Sequence, residues 1–292
     1  MASSIEHPDT ATAQRDSPPT IGALALIAMC LVTFAHEALG HGGACLALGG
    51  QVELLTSSLF RCDRASPLID AAGPLTNLLL GLAAWALRSR IAAYRASPRL
   101  FLILVTAFSL FWEGGYLVQA MLLRDGDSYF VARDLLGEPS LWWRIVLGAV
   151  GVAIYGAAVV VTSRALTGLW PDRARARGAA RTAWLVAVAG AVLAALLYQG
   201  PHAGRNLHDA VTEIGLASLP LLLIPGGAGE TPASEGAVRI GFSPPVVVLA
   251  VVVFSLFAAI QGRGWAAEVP MSFHPTVVIP DKREARRSGT DA

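Results

Sequence analysis

Charge is what this 292-residue sequence has least of: 15% of its residues are charged, whereas 54% are hydrophobic. Soluble globular proteins carry roughly 25% charged and about 45–50% apolar residues. The shortage is also clustered, because long stretches contain no charged residue at all. The composition therefore argues against a soluble enzyme or a disordered chain, and it predicts a protein that crosses a lipid bilayer several times.

Lysine and cysteine are scarce as well. Lys282 is the single lysine beside 21 arginines, and the formal net charge is +1, so no basic surface for nucleic acid is expected. The three cysteines have no close metal-binding spacing, and Cys30 lies in an apolar run typical of a buried thiol. Cys45 and Cys62 are near enough in sequence to pair, but the odd count argues against a disulfide framework.

Long apolar windows predict the spans, each of which needs about 20 mainly apolar residues. Five charge-free windows cover residues 17–35, 71–87, 145–163, 182–204 and 240–262, and a sixth span over about 100–123 is interrupted by Glu113. A shorter apolar window follows a polar stretch and contains two prolines, so residues 205–229 are interpreted as a re-entrant helix or a seventh span. The sequence thus predicts an all-α polytopic membrane protein with about six transmembrane helices.

These spans form one predicted transmembrane domain over residues 20–262, with a core over 20–137 and additional helices over 141–262. The polar segment 1–19 and the basic segment 263–292 are expected to be flexible tails. With six spans, the side of the N-terminus holds 15 basic residues and the other side holds 7. The positive-inside rule then predicts both termini in the cytoplasm.

His36, Glu37 and His41 stand at the end of the first apolar run, in the segment LVTFAHEALGHGGACLALGG. Ionisable groups are costly at that depth and mark a functional site by default. Two histidines with a glutamate indicate a zinc site, in which the imidazoles bind the metal and the carboxylate activates water. The alternative interpretation is a set of interfacial polar residues.

The spacing of the two histidines differs from the usual His-Glu-x-x-His motif, whose histidines are separated by roughly 40° around a helix. Here the second histidine is one position later, which separates the two by roughly 140° on a regular helix. A π-turn would bring them together, and so would unwinding at Gly40, Gly42 and Gly43. In a third arrangement, Glu37 and His41 are the ligand pair.

Two further segments complete a resemblance to a known family. Residues 72–77 read Ala-Gly-Pro-Leu-Thr-Asn, and residues 125–127, after the third span, read Asp-Gly-Asp. Together with the His-Glu segment, they resemble the site-2 protease family of intramembrane zinc metalloproteases, in particular its small bacterial branch without a PDZ domain. That family has an Ala-Gly-Pro-x-x-Asn motif and an Asp-Gly whose aspartate is the third zinc ligand. The resemblance covers residues 21–137.

The resemblance implies that zinc-activated water cleaves a peptide bond of a transmembrane protein substrate, in the cytoplasmic membrane of a bacterium. The implied Zn²⁺ ligands are His36, His41 and either Asp127 or Asp125. The implied catalytic residues are Glu37, as general base, and Asn77, which would hold the substrate strand. If six spans alternate, all of these residues lie at one face of the membrane. The alternative is a non-catalytic relative that binds a metal, a lipid or a helix. A transporter is less favoured because no internal repeat is found.

Two other polar features remain. Glu113 lies roughly 18–21 Å along its helix from the two aspartates, too far to share a metal with them, so it is expected to pair between helices or to act in substrate gating. A cluster of His and acidic residues follows the fifth span and consists of His202, His208, Asp209 and Glu213. It is interpreted as a polar interfacial helix, with a cap over the site or a second ion site as the alternatives.

Overall fold

The structure is a computed structural model that describes residues 16–92, 94–137, 140–170, 172–223 and 238–266. Most of the two predicted tails, residues 1–15 and 267–292, lies outside this described part. The α-helices are α1 (Pro18–Phe34), α2 (Gly43–Ala47), α3 (Pro67–Arg88), α4 (Ala96–Leu123), α5 (Asp127–Leu136), α6 (Leu141–Leu169), α7 (Arg173–Leu197), α8 (Ala203–Ala210) and α9 (Pro244–Phe257). The π-helices are π1 (Ala35–Gly42), π2 (Val211–Leu216) and π3 (Ala258–Gly262), and Leu219–Leu223 is a 3₁₀-helix. The strands are β1 (Val52–Leu55), β2 (Phe60–Cys62) and β3 (Trp265–Ala266).

Six continuous helical stretches in the described part are long and apolar enough to cross a membrane, which confirms the predicted all-α polytopic fold. They are Pro18–Ala47, Pro67–Arg88, Ala96–Leu123, Leu141–Leu169, Arg173–Leu197 and Pro244–Gly262. In the apolar windows of the first and third, 67% of the residues are buried within the molecule, against 17% in α6 and 22% in α9 with π3. α1 and α4 therefore form the centre of the bundle, and α6 and α9 present their apolar surface outward, as suits a lipid bilayer.

The second spanning helix, α3, begins earlier than its charge-free window. Ser66 caps it by accepting a hydrogen bond from the backbone N–H of Leu68, and Pro67 occupies the first turn. Pro74 consequently lies inside α3. The Ala-Gly-Pro-x-x-Asn motif, expected at the entrance of the span, is therefore well inside the helix, where Gly73 and Asn77 are buried.

Helices α1, α7 and α9 run parallel. At one end of the bundle, the Ser17 N–H donates to the carbonyl of Ile240 (2.8 Å), and Arg175 forms an ion pair with Asp16 (2.8 Å). At the opposite end, the Gln261 amide donates to the carbonyl of Thr56 (3.1 Å). We call the second end, which also carries the histidines and Asp127, the site end, and the first the far end.

The chain makes an additional, broken crossing between α7 and α9. Asn206 donates to the carbonyl of Ala195 near the end of α7, and Trp184 in the middle of α7 donates to the carbonyl of Gly215. The stretch from α8 to the 3₁₀-helix thus runs antiparallel to α7, from the site end toward the far end. After a segment outside the described residues, the chain continues at the far end, where the N–H of Ile240 donates to Asp16.

This crossing changes the predicted topology. The described residues nearest the two termini, Asp16 and Ala266, lie at opposite ends of the bundle. The termini themselves lie outside the described residues, so the expectation that both are cytoplasmic stays a prediction. Arg239 lies at the far end and Arg263 at the site end, each opposite to the side assumed in the charge count.

A small sheet lies at the site end. β1 pairs antiparallel with β2 and with β3, in the order β2-β1-β3. Trp265 and Ala266 therefore form part of a sheet, whereas the sequence predicts a flexible tail from residue 263. A disulfide joins Cys45, in α2, to Cys62, at the end of β2. The expectation against a disulfide is therefore wrong, because the hairpin folds back onto α2. The third cysteine, Cys30, is free and buried as predicted.

Candidate metal centre

A π-helix brings His36 and His41 together. Residues Ala35–Gly42 form π1 between α1 and α2, and the backbone stays helical throughout. The wider turn places residues five apart on one face, and the Nε2 atoms of the two rings lie 3.2 Å apart. The first of the three arrangements considered from sequence is thus the one adopted, without unwinding at the glycines.

Asp127 is the third member of the group. Its Oδ2 atom lies 3.3 Å from His41 Nε2 and 3.6 Å from His36 Nε2. Two donors that each bind zinc at about 2.0–2.2 Å with a tetrahedral angle between them lie roughly 3.3–3.6 Å apart. The three spacings of this group, from 3.2 to 3.6 Å, match that requirement, so these residues fit one metal ion.

The protons on the two rings can be assigned from their other contacts. His41 Nδ1 lies 2.7 Å from the carbonyl oxygen of Ile69, which can only accept, so Nδ1 carries the proton. His36 Nδ1 lies 3.0 Å from Glu113 Oε1, which already accepts from the amide of Asn77, so this Nδ1 is also the donor. In the neutral rings, both Nε2 lone pairs then face each other and the Asp127 carboxylate. Such a group requires a cation at its centre, either a metal ion or an added proton.

A sharp turn delivers Asp127 to the group. α4 ends at Arg124 in the left-handed conformation, and Gly126 follows with φ +93°. A Cβ atom at Gly126 would lie 2.5 Å from the Tyr116 hydroxyl oxygen, which accepts the backbone N–H of Asp127. Burial alone would raise the pKa of the Asp127 carboxyl, but His41 and His36 beside it hold that pKa well below its ordinary value.

Asp125 does not join the group. Its Oδ2 atom lies 3.4 Å from Arg205 Nη2 in an exposed ion pair. Of the two aspartates between which the sequence could not choose, the structure brings Asp127 to the histidines and turns Asp125 away.

Glycines allow α3 to approach π1 closely. A Cβ atom at Gly40 would lie 2.6 Å from the Cα atom of Gly73, and one at Gly73 would lie 2.2 Å from His41 Nε2. Real Cβ atoms do not make contacts this short, so both positions need glycine. The Gly73 of the second motif thus makes room for the ring of His41.

Glu37 opens onto the same cavity as the metal group. The cavity has a volume of about 370 Å³ and is also lined by Asp70, Tyr116 and Phe60. Glu37 is 4% exposed, so its carboxylate is shielded from bulk water and faces the space beside the histidines. The alternative in which Glu37 is a metal ligand does not match the closely spaced group, which consists of His36, His41 and Asp127.

Asn77 and Glu113 lie behind the metal group. Glu113 accepts hydrogen bonds from His36 and from Asn77, both at 3.0 Å. Asn77 is fully buried and contributes no surface to the metal cavity, so its predicted role in holding a substrate strand is not supported by this geometry. Glu113 thus pairs between helices, one of the two roles expected for it. Its histidine partner has no signal in the sequence, because that contact joins α4 to π1 across the bundle.

The metal cavity has two walls. The first wall is formed by π1, the start of α5 and the β1-β2 hairpin. The second wall is formed by α8 and π2 and carries the predicted His and acidic cluster, of which His202, Asp209 and Glu213 line the cavity. Three members of this cluster thus lie around the same cavity as the histidines, which is the position expected of a cap over the site.

The chain matches no protein-family model, no curated protein and no solved structure.

Proposed function

We propose that this chain is an intramembrane zinc metalloprotease of the site-2 type, which cleaves a peptide bond of a transmembrane substrate. One observation carries the proposal: two buried histidine Nε2 atoms and one carboxylate oxygen converge at spacings of 3.2–3.6 Å. Two histidines and one carboxylate that leave a coordination position open are typical of catalytic zinc sites.

The donor set favours zinc over harder cations. Imidazole nitrogen suits zinc and neighbouring transition metals, whereas calcium and magnesium prefer sites made of oxygen ligands. His36, His41 and Asp127 would hold the ion. When bound, zinc supplies a Lewis acid that polarises a carbonyl group and lowers the pKa of water.

Glu37 would handle the protons of the reaction. Its carboxylate is buried beside the metal group and lines the same cavity. A carboxylate oxygen of Glu37 would accept a proton from the attacking water and return it to the amine that leaves from the cleaved peptide bond.

A second cavity supports a substrate from the bilayer. It lies between α4, α6 and π2, has a volume of about 470 Å³ and is lined mainly by apolar atoms. Tyr116 and Glu213 line both this cavity and the metal cavity, so the two spaces adjoin. An apolar segment that lies among α4, α6 and π2 would have its backbone next to the metal group.

The orientation proposed for the membrane follows from the disulfide. Disulfides form and persist in oxidising compartments and are rare in the cytosol. The Cys45–Cys62 bond lies at the site end, so we propose that the site end faces outward from the cytoplasm of a bacterium and that the far end, with the N-terminal helix start, faces inward. This agrees with the sequence expectation for the N-terminus, and it places Ala266, the last described residue, on the outward side.

The proposal is tested with Glu37→Gln in the full-length protein, reconstituted with transmembrane peptides that carry a fluorophore at each end. We expect cleavage to fall by at least about 100-fold, the lower range for a lost general base, while zinc content stays at the wild-type level because Glu37 is not in the ligand group. Glu53→Gln, on β1 and outside the metal cavity, is the matched control and should leave cleavage unchanged.

Each other result has a defined meaning. Wild-type cleavage by Glu37→Gln would contradict the mechanism. Zinc bound by the wild-type protein without cleavage of any peptide would favour the non-catalytic relative, and absence of metal would contradict the metal centre itself.

A further inference from the structure

We infer that Glu113 is the positioning residue of the metal centre, and that it fixes the tautomer and ring orientation of His36 with Asn77 as its support. The inference depends on the proposed metal site but not on the proteolytic reaction. Neither residue is a ligand or faces the cavity, so both would act through His36.

The cost of burying Glu113 is the first argument. The residue is 3% exposed and lies inside α4, among the apolar residues at the centre of the bundle. An acid in such a place is expensive unless it is hydrogen-bonded. Two donors, His36 Nδ1 and Asn77 Nδ2, meet the same oxygen, Oε1, each at 3.0 Å. The carboxyl group is therefore satisfied by the very ring that is proposed to bind the metal.

The effect on the ring is the second argument. A carboxylate that accepts from Nδ1 keeps the proton there, which leaves Nε2 free to bind a metal and makes it a stronger donor. One residue earlier on α4, Trp112 stacks on the same ring, with centroids 4.4 Å apart and planes 13° apart. Trp112 thus sets the plane of the ring, and Glu113 sets its rotation within that plane.

Asn77 links the third helix to this arrangement. Its amide nitrogen donates to Glu113, and its amide oxygen accepts from the hydroxyl of Ser109 at 3.5 Å. α3 and α4 thereby hold the carboxylate between them. A buried amide that makes these two bonds explains why an asparagine occupies this position without contacting the cavity.

The two histidines are supported differently. His41 donates to a backbone carbonyl, that of Ile69, whereas His36 donates to a carboxylate. Only the hydrogen-bond acceptor of His36 Nδ1 can be removed by changing a side chain, so Glu113 offers a direct test.

The test uses the purified full-length protein and Zn²⁺ alone, with affinity measured by competition against a chelator. Outer partners of metal ligands typically contribute 10–100-fold to affinity, so we expect Glu113→Ala to weaken zinc binding by about that factor. Glu113→Gln keeps an acceptor oxygen without the charge and should weaken binding less. The visible absorption of the Co²⁺-loaded protein should shift in both variants, because the ligand field of His36 changes.

Thr106→Val is the matched control. Thr106 is buried on α4 and bonds to the carbonyl of Gly81 on α3, so this variant loosens the same pair of helices without touching His36. It should keep wild-type zinc affinity and the wild-type cobalt spectrum.

Unchanged affinity and spectrum in both Glu113 variants would overturn the inference, as would a loss no greater than that of Thr106→Val. If Glu113→Ala does not fold, Glu113→Gln decides the question by the same readouts. His36→Ala separates the two proposals: if the wild type binds zinc and His36→Ala does not, the metal centre stands whatever Glu113 does.

Discussion

The two walls of the metal cavity contain similar residue types but hold them in different ways. On the first wall, His36 and His41 are 2% and 4% exposed, and each ring nitrogen has a defined neighbour. On the second wall, Arg205 and His208 are more than half exposed, and their ion pairs are formed with Asp125 and Asp209. Histidines with acids nearby are thus present on both walls, but the described residues form a metal-sized group on the first alone.

The difference indicates which features give histidines and acids the spacing of a metal-binding group. Both walls include a π-helix, so the distortion of the helix is not sufficient. The first wall also has a close-packed α3 and a buried carboxylate behind it, which stop the rings from turning away. Exposed ion pairs like those of the second wall contribute roughly 0–1 kcal/mol and do not fix geometry. The second wall is therefore suited to contact whatever enters the cavity, whereas the first wall has the spacing and rigidity that could hold a metal ion.

The strongest test of this contrast is Asp127→Asn. Asp127 completes the group on the first wall, whereas the neighbouring Asp125 forms an ion pair with Arg205 of the second wall. Loss of an outer partner costs 10–100-fold in metal affinity, so loss of a charged ligand should cost more than about 100-fold. Zinc content after dialysis, measured by mass spectrometry, reports the change.

Asp125→Asn provides the control for Asp127→Asn, two positions away in the same turn. It removes an exposed ion pair of 3.4 Å and should leave zinc content at the wild-type value. Equal loss of zinc in the two variants would mean that the turn as a whole, rather than the Asp127 carboxylate, governs binding.

Sequence alone could identify most of the first wall. His36, Glu37 and His41 stand out because ionisable groups are costly within an apolar helix, and a π-turn was one of three ways to reconcile their spacing. The choice between Asp125 and Asp127 was not predictable, because it depends on a left-handed residue and a glycine that turn one aspartate inward. The roles of Glu113 and Asn77 depend on contacts across three helices, which have no local signature.

The six long helices follow from composition and window length, and residues 205–229 are recognisable from sequence as a re-entrant helix or a seventh span. The sequence does not decide between these two, because the first half of the stretch, α8 and π2, contains the charged residues of the second wall and leaves only a short apolar window. Counting six spans reversed the predicted side of Arg239 and Arg263.

A smaller loss of zinc affinity than that of Asp127→Asn is expected from Gly73→Ala, which tests the packing behind the first wall. The added Cβ atom would lie 2.2 Å from His41 Nε2, so the ring or α3 must move. Overpacking of this kind typically costs about 1–3 kcal/mol, and a displaced ligand ring should weaken zinc binding by about 10-fold. Chelator competition and thermal unfolding in detergent measure the two effects.

Gly43→Ala is the matched control for Gly73→Ala. A Cβ atom at Gly43 meets nothing within 4 Å, and alanine favours a helix more than glycine does. Stability and zinc affinity should therefore equal or slightly exceed those of the wild type. A Gly73→Ala protein with normal zinc affinity would show that the first wall tolerates movement and would weaken the contrast with the second.

The smallest effect on zinc affinity is expected from breaking the disulfide, which joins the hairpin of the first wall to α2. The bond closes a loop with a sequence separation of 17, for which chain entropy predicts a stabilisation of about 3 kcal/mol. Cys62→Ser should lower the free energy of unfolding by about this amount, yet change zinc affinity little, because the ligands belong to π1 and α5 and not to the hairpin. Thiol counting on denatured protein checks the bond itself: without reductant, Cys30 alone should react, and after reduction all three cysteines should. Three reactive thiols in protein taken directly from the membrane would contradict both the bond and the outward orientation of the site end. A large loss of zinc affinity in Cys62→Ser would mean that the hairpin, whose Phe60 stacks on His41, holds the ligand ring as firmly as α3 does.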